Sequence, residues 1–302
     1  MNINLVMFHS GSELPMWLEY TFKQIRLFNP TIIIHFITDK ELLTNSLFKE
    51  YNVLTYNKDP YYSDKIEKFE SMYNWPKGFW TITTTRFMYM ENFLKEHKLT
   101  DVYHFENDIL LYYDLKKHHR AFTYFYKHMA ITPGGHDRNM TGFMFIKRWQ
   151  ELEAMTSFFI QIIEENGLPA LRKKYNTDMV HEMSLMKMYE LEKGIEYLEH
   201  IPTLPFGQYA KRYEAFFSIF DSASWGQYVG GTAEGIPGAK PANHYVSQVL
   251  IENPDYTVIW KKDLAGNNIP YFQYHDGHNI QEIKINNLHI HSKNLHKYVS
   301  YD

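Results

Sequence analysis

An apolar run interrupted by two carboxylates sets the strongest condition on this chain: Val102-Tyr-His-Phe-Glu-Asn-Asp-Ile-Leu-Leu-Tyr112 holds Glu106 and Asp108 two residues apart. Flanks of this kind make a short buried strand, and an unpaired buried carboxylate is very costly. Something at the end of the strand must therefore compensate the negative charge, and a divalent cation would do so. At i and i+2 the two side chains share one face of an extended chain, so both can reach one ion. Oxygen ligands suit Mg²⁺ or Mn²⁺, which keep positions open for phosphates. The competing reading makes Glu106 and Asp108 part of a polar turn between a strand and a loop.

Composition narrows the setting. At 302 residues, with 44% apolar and 22% charged residues, the chain can bury a full core in one large α/β domain or two small ones. Aromatic residues reach 17%, but Lys exceeds Arg 24 to 7, the skew that AT-rich coding produces, so the aromatic excess alone does not argue for sugar binding. A net charge of -4 with no Lys/Arg stripe gives no general attraction to nucleic acid. The absence of cysteine excludes disulfides and thiolate metal sites. Met1 to His9 leads into a strand pattern with no basic leader, and no apolar run approaches membrane-spanning length. A soluble, cytoplasmic protein is expected, with any membrane contact peripheral.

Strand and helix patterns alternate from the start. Asn4 to His9 reads as a buried strand and Pro15 to Phe28 as a helix, which Asn29-Pro30 breaks. Ile32 to Asp39 is a second strand, rich in β-branched residues, followed by a short helix; this opens a parallel α/β sheet. After a Tyr-rich loop near Tyr61 and Tyr62, Phe79 to His97 has helical periodicity and delivers the chain to the acidic strand. Strands are expected at Met129 to Thr132 and Gly142 to Ile146, around the turn Pro133-Gly-Gly-His-Asp-Arg138. Helices are expected from Trp149 to about Glu165 and from about Asp178 to Leu191. Past Ile201 the chain is loop-rich, with Gly230-Gly231, Pro237-Gly238 and Pro241, and its final strand runs from Glu282 to His291. The expectation is one domain, a mostly parallel Rossmann-like sheet flanked by helices, with a C-terminal excursion. Ligands of open α/β sheets bind outside the carboxyl ends of the strands, which brings His9, Asp39, Asp108 and His291 towards one edge.

Other constellations could carry chemistry, each with a plain structural alternative. In Leu288-His-Ile-His-Ser-Lys293, His289 and His291 would share a face of a strand. His291, nearest the loop, is the first choice to complete a coordination sphere begun by Asp108, while Lys293 could hold a pyrophosphate leaving group. Both histidines could equally be surface residues. Phe220 to Gly231 offers Asp221, Trp225, Gln227 and Tyr228, a mix suited to sugar hydroxyls and ring faces, or else a turn and core aromatics. Asn139-Met-Thr-Gly142 could accommodate a sugar or form a hairpin turn. Asp178 and Glu182, four apart, would lie on one helical face; either, or Asp221, could be a catalytic base, and a solvated helix face explains the first two as well.

The order of strand, helix, strand ending in Asp39, Arg-bearing helix, acidic Glu106-Asn107-Asp108 strand and late His-x-His-Ser-Lys293 resembles the GT-A class of nucleotide-sugar-dependent glycosyltransferases. That resemblance implies that the acidic motif, usually Asp-x-Asp, binds Mn²⁺ or Mg²⁺ bridging the donor diphosphate, with a late His as a further ligand. It implies that Asp39 contacts the nucleoside and that Arg86, in Thr83-Thr-Thr-Arg-Phe87, contacts the donor. It further implies hexosyl transfer from a UDP- or GDP-sugar to a hydroxyl on a glycan or glycoconjugate. Residues 1–115 would form the nucleotide-binding half; 116–302 would bind the acceptor and supply the C-terminal metal-binding segment. Two other readings stand beside it. A Mg-dependent nucleotidyltransferase also uses acidic pairs at strand ends, although the short acidic His9-Ser-Gly-Ser-Glu13 is no Gly-rich phosphate loop. A noncatalytic glycan-binding protein would use the aromatic residues as stacking platforms.

Overall fold

Apolar strands with helices between them give the first half of the chain a repeating βα rhythm. In the computed structural model, which describes residues 3–73, 78–233, 239–244, 248–251 and 256–301, that rhythm is β1 (Asn4–Phe8), α1 (Leu18–Phe28), β2 (Ile33–Thr38), α2 (Ser46–Glu50) and β3 (Val53–Asn57). Two helices, α3 (Asp64–Met72) and α4 (Phe79–Glu96), precede β4 (Thr100–Phe105) and the short β5 (Ile109–Leu111). Then come α5 (Leu115–Phe125), β6 (Met129–Pro133), β7 (Asn139–Arg148), α6 (Trp149–Asn166), α7 (Leu168–Lys174), α8 (Glu182–Lys193) and β8 (Leu198–His200). The C-terminal part holds α9 (Tyr213–Phe216), α10 (Ser224–Gly230), β9 (Thr257–Lys262), β10 (Asn268–His275), β11 (Ile280–Lys284) and β12 (Asn287–His289).

The central sheet has seven strands in the order β3-β2-β1-β4-β7-β6-β8. Four of its pairings are parallel, and only β7 runs against its neighbours β4 and β6. This is the mixed α/β, mostly parallel architecture that the βα rhythm predicts. Period-two alternation divides the side chains between two cores. Val102, Ile131, Met144 and Ile146 pack against α3, α4, α6 and α8, whereas Tyr103, Ala130, Phe143 and Phe145 pack against α1 and α5 on the opposite face. A third core, around Trp225, Tyr256, Phe272, Leu288 and Ile290, joins the C-terminal part to Leu110 and Tyr112 of the β5 region. No helix among the described residues is long and apolar enough to cross a membrane.

Several boundaries differ from expectation. The single final strand from Glu282 to His291 is two strands: β11 closes an antiparallel meander with β10, and β12 pairs with β5 in a separate two-stranded sheet. The break falls at Ile285-Asn286: Ile285 N–H still donates to Pro270 of β10, but Asn286 N–H turns to Ile219 and the buried Asn286 amide donates to Ser218. β7 begins at Asn139, earlier than Gly142, so Asn139 to Gly142 is neither a loop nor a hairpin turn; a register irregularity at Ile131/Thr132 accommodates it. α8 starts at Glu182, with His181 as its N-cap in a capping box with Ser184, which leaves the exposed Asp178 outside the helix. The face shared by Asp178 and Glu182 therefore does not exist. The region past Ile201 is more ordered than its glycines and prolines suggest, and Pro237-Gly238 lie outside the described residues.

Candidate active site

β4 ends at Phe105 and the chain turns through Glu106-Asn107-Asp108 into β5, so the acidic pair lies in a turn between two strands and not on one face of an extended strand. Glu106 donates its N–H to the Gly142 carbonyl at 3.1 Å, and Ile109 donates to Glu106 at 3.4 Å, which closes the turn. β12 pairs antiparallel with β5 and places His289 opposite Ile109. The imidazole thereby meets both carboxylates: His289 Nε2 lies 3.1 Å from Asp108 Oδ2 and 3.4 Å from Glu106 Oε2. One ligand atom from each of Glu106, Asp108 and His289 falls within 4.8 Å of the others. Two hard oxygens and one imidazole nitrogen at that spacing fit a Mg²⁺ or Mn²⁺ ion.

Two glycines make this approach possible. A Cβ on Gly142 would stand 2.7 Å from His289 Nδ1, and one on Gly226 would stand 1.9 Å from the His289 carbonyl oxygen. Asp221 fixes the same segment. Its Oδ1 accepts from Trp225 N–H at 2.8 Å, and its Oδ2 accepts from Gly226 N–H at 2.9 Å and His289 N–H at 2.8 Å. Three buried backbone N–H groups are held by this carboxylate, which is 2% exposed, so Asp221 builds the site and does not face a substrate.

The charge compensation demanded by the buried carboxylates comes first from side chains. Arg86 reaches from α4 to pair with Glu106 and also donates to Thr141 Oγ1 at 2.7 Å, which in turn donates to Glu106 Oε1 at 2.7 Å. Lys293 pairs with Asp108. Burial alone would raise both acids, but Arg86 and then His289 outweigh it and hold Glu106 at about 2. His289 and Lys293 likewise keep Asp108 well below the usual carboxylate range. Burial pushes His289 down, but Asp108, with help from Glu106, reverses the direction and raises it. A metal is therefore not needed to explain why the acids are buried; what points to one is the convergence of three donor groups.

The other expected residues divide. His9 and Asp39 follow β1 and β2 at the carboxyl end of the sheet; Asp39 accepts the Gly11 N–H at 2.9 Å and lies 3.2 Å from Lys58. Here the opposed effects of burial and of hydrogen bonds from Gly11 and Lys58 leave Asp39 ionised below its ordinary value. His9 Nε2 is within hydrogen-bond distance, 2.9 Å, of the Glu13 carbonyl. His291, preferred over His289 on position, is displaced by the end of β12: its Nδ1 accepts from Ala233 N–H at 2.9 Å, and its ring centre is 6.4 Å from that of His289. Burial, then the neighbouring His289 and Lys293, lower it to about 4. Trp225 is fully buried in the third core and offers no stacking face, while Asn139 is fully buried as well and donates to Glu190 at 2.7 Å.

Glu182 is the distinctive acid. It is 3% exposed and accepts from Thr83 Oγ1 at 2.9 Å, and Thr83 lies one turn of α4 before Arg86. Burial raises it to about 7, with Arg86 opposing and Glu106 adding to the rise. Beside it the N-capping His181 stacks on Trp80 with ring centres 4.6 Å apart. Thr83 and Gly226 lie inside segments that the sequence singles out, but the motifs there give them no role, and Thr141 and Gly142 read as a sugar pocket or a turn rather than as supports of Glu106 and His289. The available signal was modest: Thr83 is three residues before Arg86, hence on its helix face.

No protein-family model matches the chain, and no curated protein matches it. Among solved structures it is similar to mouse xyloside xylosyltransferase 1, at 12% identity and a TM-score of 0.48 over 72% of this chain and 94% of that one. It is similar also to the glycosyltransferase GlyE of Streptococcus pneumoniae, at 12% identity and a TM-score of 0.43 over 66% of this chain and 45% of that one. A cytidylyltransferase of Leptospira borgpetersenii gives 12% identity and a TM-score of 0.36, over 55% of this chain and 72% of that one. Likeness at this level concerns the path of the chain, and the chemistry rests on the residues described above.

Proposed function

We propose that this protein is a metal-dependent glycosyltransferase that moves a hexosyl group from a nucleoside diphosphate donor to a hydroxyl of a glycan or glycoconjugate. The observation that carries the reading is the meeting of Glu106, Asp108 and His289 at the end of a central strand, with Arg86 and Lys293 beside them. Glu106, Asp108 and His289 would hold a Mn²⁺ or Mg²⁺ ion, which when bound supplies positive charge to the donor's diphosphate and its leaving oxygen. Lys293 adds a mobile cation for the same phosphates, and Arg86 keeps Glu106 ionised and directed into the site. His9 and Asp39, at the ends of β1 and β2, would receive the nucleoside, so that residues 1–115 form the nucleotide-binding half. The acceptor would lie against 116–302, whose C-terminal segment returns to the metal donors.

Of three candidate bases, Glu182 suits proton transfer. Asp221 holds three backbone N–H groups in place, and Asp178 is exposed in front of α8. A carboxylate lifted to about 7 sits near working pH and can take up a proton from an acceptor hydroxyl. The test is a panel of UDP- and GDP-sugars with Mn²⁺ and mixed hydroxyl acceptors, read by mass. Nucleoside diphosphate should be released, and Asp108→Asn should abolish release while leaving the fold intact. Pyrophosphate release would instead indicate nucleotidyl transfer, and sugar binding indifferent to EDTA without turnover would indicate a glycan-binding module.

A further inference from the structure

Lys293 already neutralises the carboxylate on which the candidate metal site depends. Asp108 Oδ2 receives the Lys293 ammonium and faces His289 Nε2 at 3.1 Å. One carboxylate oxygen has two lone-pair sites, so these partners fill it. Asp108 is 2% exposed and cannot turn outward for another partner, whereas the Lys293 side chain is 35% exposed. While paired with Asp108, the same ammonium lies 5.5 Å from the centre of the half-buried Trp17 ring, so an aromatic face that can receive it stands beside the site. Trp17 is tied to that turn, since its indole N–H donates to Asn107 Oδ1 at 3.4 Å and Thr21 donates to the Asn107 carbonyl at 2.8 Å. The backbone of Lys293 is in the left-handed region, at φ 64°, with its N–H bonded to Ile290 at 3.0 Å, so the side chain leaves from a fixed turn.

We propose that Lys293 is an internal cation that closes the metal site, and that a divalent ion and the Lys293 ammonium compete for Asp108. When the ion takes the carboxylate, Lys293 swings out to the Trp17 face, where it is presented to the anionic part of the donor. Two cations held against one buried carboxylate repel each other at this depth, which sets the ion and the Lys293 ammonium in competition for Asp108. The consequence is a site that binds bare metal weakly and becomes receptive when an anion draws Lys293 away. The inference rests on the metal-binding reading above, and the experiment separates the two.

Mn²⁺ binding is measured on the full chain without nucleotide, by the loss of the free-ion electron paramagnetic resonance signal, for the wild type, Lys293→Met and Asp108→Asn. Methionine keeps the side-chain length and the same backbone demand but carries no charge. Lys293→Met should bind Mn²⁺ at least tenfold more tightly than the wild type. In the wild type labelled with ¹⁵N-lysine, a protected Lys293 ammonium resonance should be present in metal-free protein and lost on adding Mg²⁺. Equal or weaker Mn²⁺ binding by Lys293→Met, or an ammonium resonance that persists unchanged with Mg²⁺ bound, overturns the competition while leaving the metal site standing. If neither the wild type nor Lys293→Met binds Mn²⁺ better than Asp108→Asn does, the metal reading fails and the competition fails with it.

Discussion

Glu182 shows how one buried group ties stability to pH. Its folded pKa of about 7 lies above the ordinary 4.5, because burial disfavours the charged form more than Arg86 and Thr83 favour it. Between those values the folded chain holds a proton that the unfolded chain has released. Stability contributed at low pH is therefore lost as pH rises from about 4.5 through about 7, by an amount on the order of 3 kcal/mol. Glu182→Gln has no such proton to lose. Its stability relative to the wild type should increase by that order between pH 4 and pH 8, measured by urea unfolding at both, and a difference that does not change with pH would refute the assigned pKa. The same variant should lose the acid–base contribution to turnover, about 100-fold or more if Glu182 is the base. At this scale the acidic pair was legible as a pair between apolar flanks, but those flanks are two strands, β4 and β5, and the acids lie in the turn that joins them rather than on a strand. Asp221 was not, since nothing in Phe220-Asp-Ser reveals that three backbone N–H groups converge on its carboxylate. His291 was favoured over His289 because strand ends are set by a pairing partner far away in the chain.

The joint between α10 and β12 is the element on which the site depends. Asp221 spans it, and the absent side chain of Gly226 lets the helix lie against the His289 carbonyl. Asp221→Ala would leave three buried N–H groups unpaired, each costing about 1–3 kcal/mol, so a loss of at least 3 kcal/mol is expected in chemical denaturation. Gly226→Ala should be as severe and should also weaken Mn²⁺ binding, because a Cβ 1.9 Å from a carbonyl oxygen forces β12 away from β5. Full stability in Gly226→Ala would show that the joint yields more easily than this packing implies. The βα opening of the fold was readable from β-branched runs and a proline break, and α4 and α6 from their apolar period. The division of the last strand was not, because β11 and β12 are continuous in pattern and are parted by the tertiary partners of Asn286. The start of α8 at Glu182 depends on a His181 cap, and histidine is not among the residues by which a helix start is ordinarily recognised.

Across the whole molecule, the proposed site joins pieces that are distant in sequence: His289 meets Asp108 across 181 residues, and the chain end is secured further back, where Gln24 of α1 holds Ser300 with bonds of 2.7 and 3.0 Å. That closure, which periodicity could not foretell, binds the C-terminal core to the first helix of the sheet. Ligands spanning such a site should therefore protect the whole fold against heat. A ligand that binds only the native state, present at 100 times its dissociation constant, adds about 2.7 kcal/mol. For a chain of this size that corresponds to a rise in melting temperature of roughly 5 °C. Mn²⁺ together with either UDP or GDP should produce a rise of that order, either component alone should give less, and EDTA should return the transition to its starting point. If Lys293 holds Asp108 until an anion draws it away, the combined shift should exceed the sum of the separate ones in the wild type. In Lys293→Met the excess should shrink, because Mn²⁺ alone would already stabilise that variant. Shifts that are purely additive in the wild type would mean that metal and nucleotide occupy independent places, and the donor geometry assigned to Glu106, Asp108, His289 and Lys293 would then be wrong.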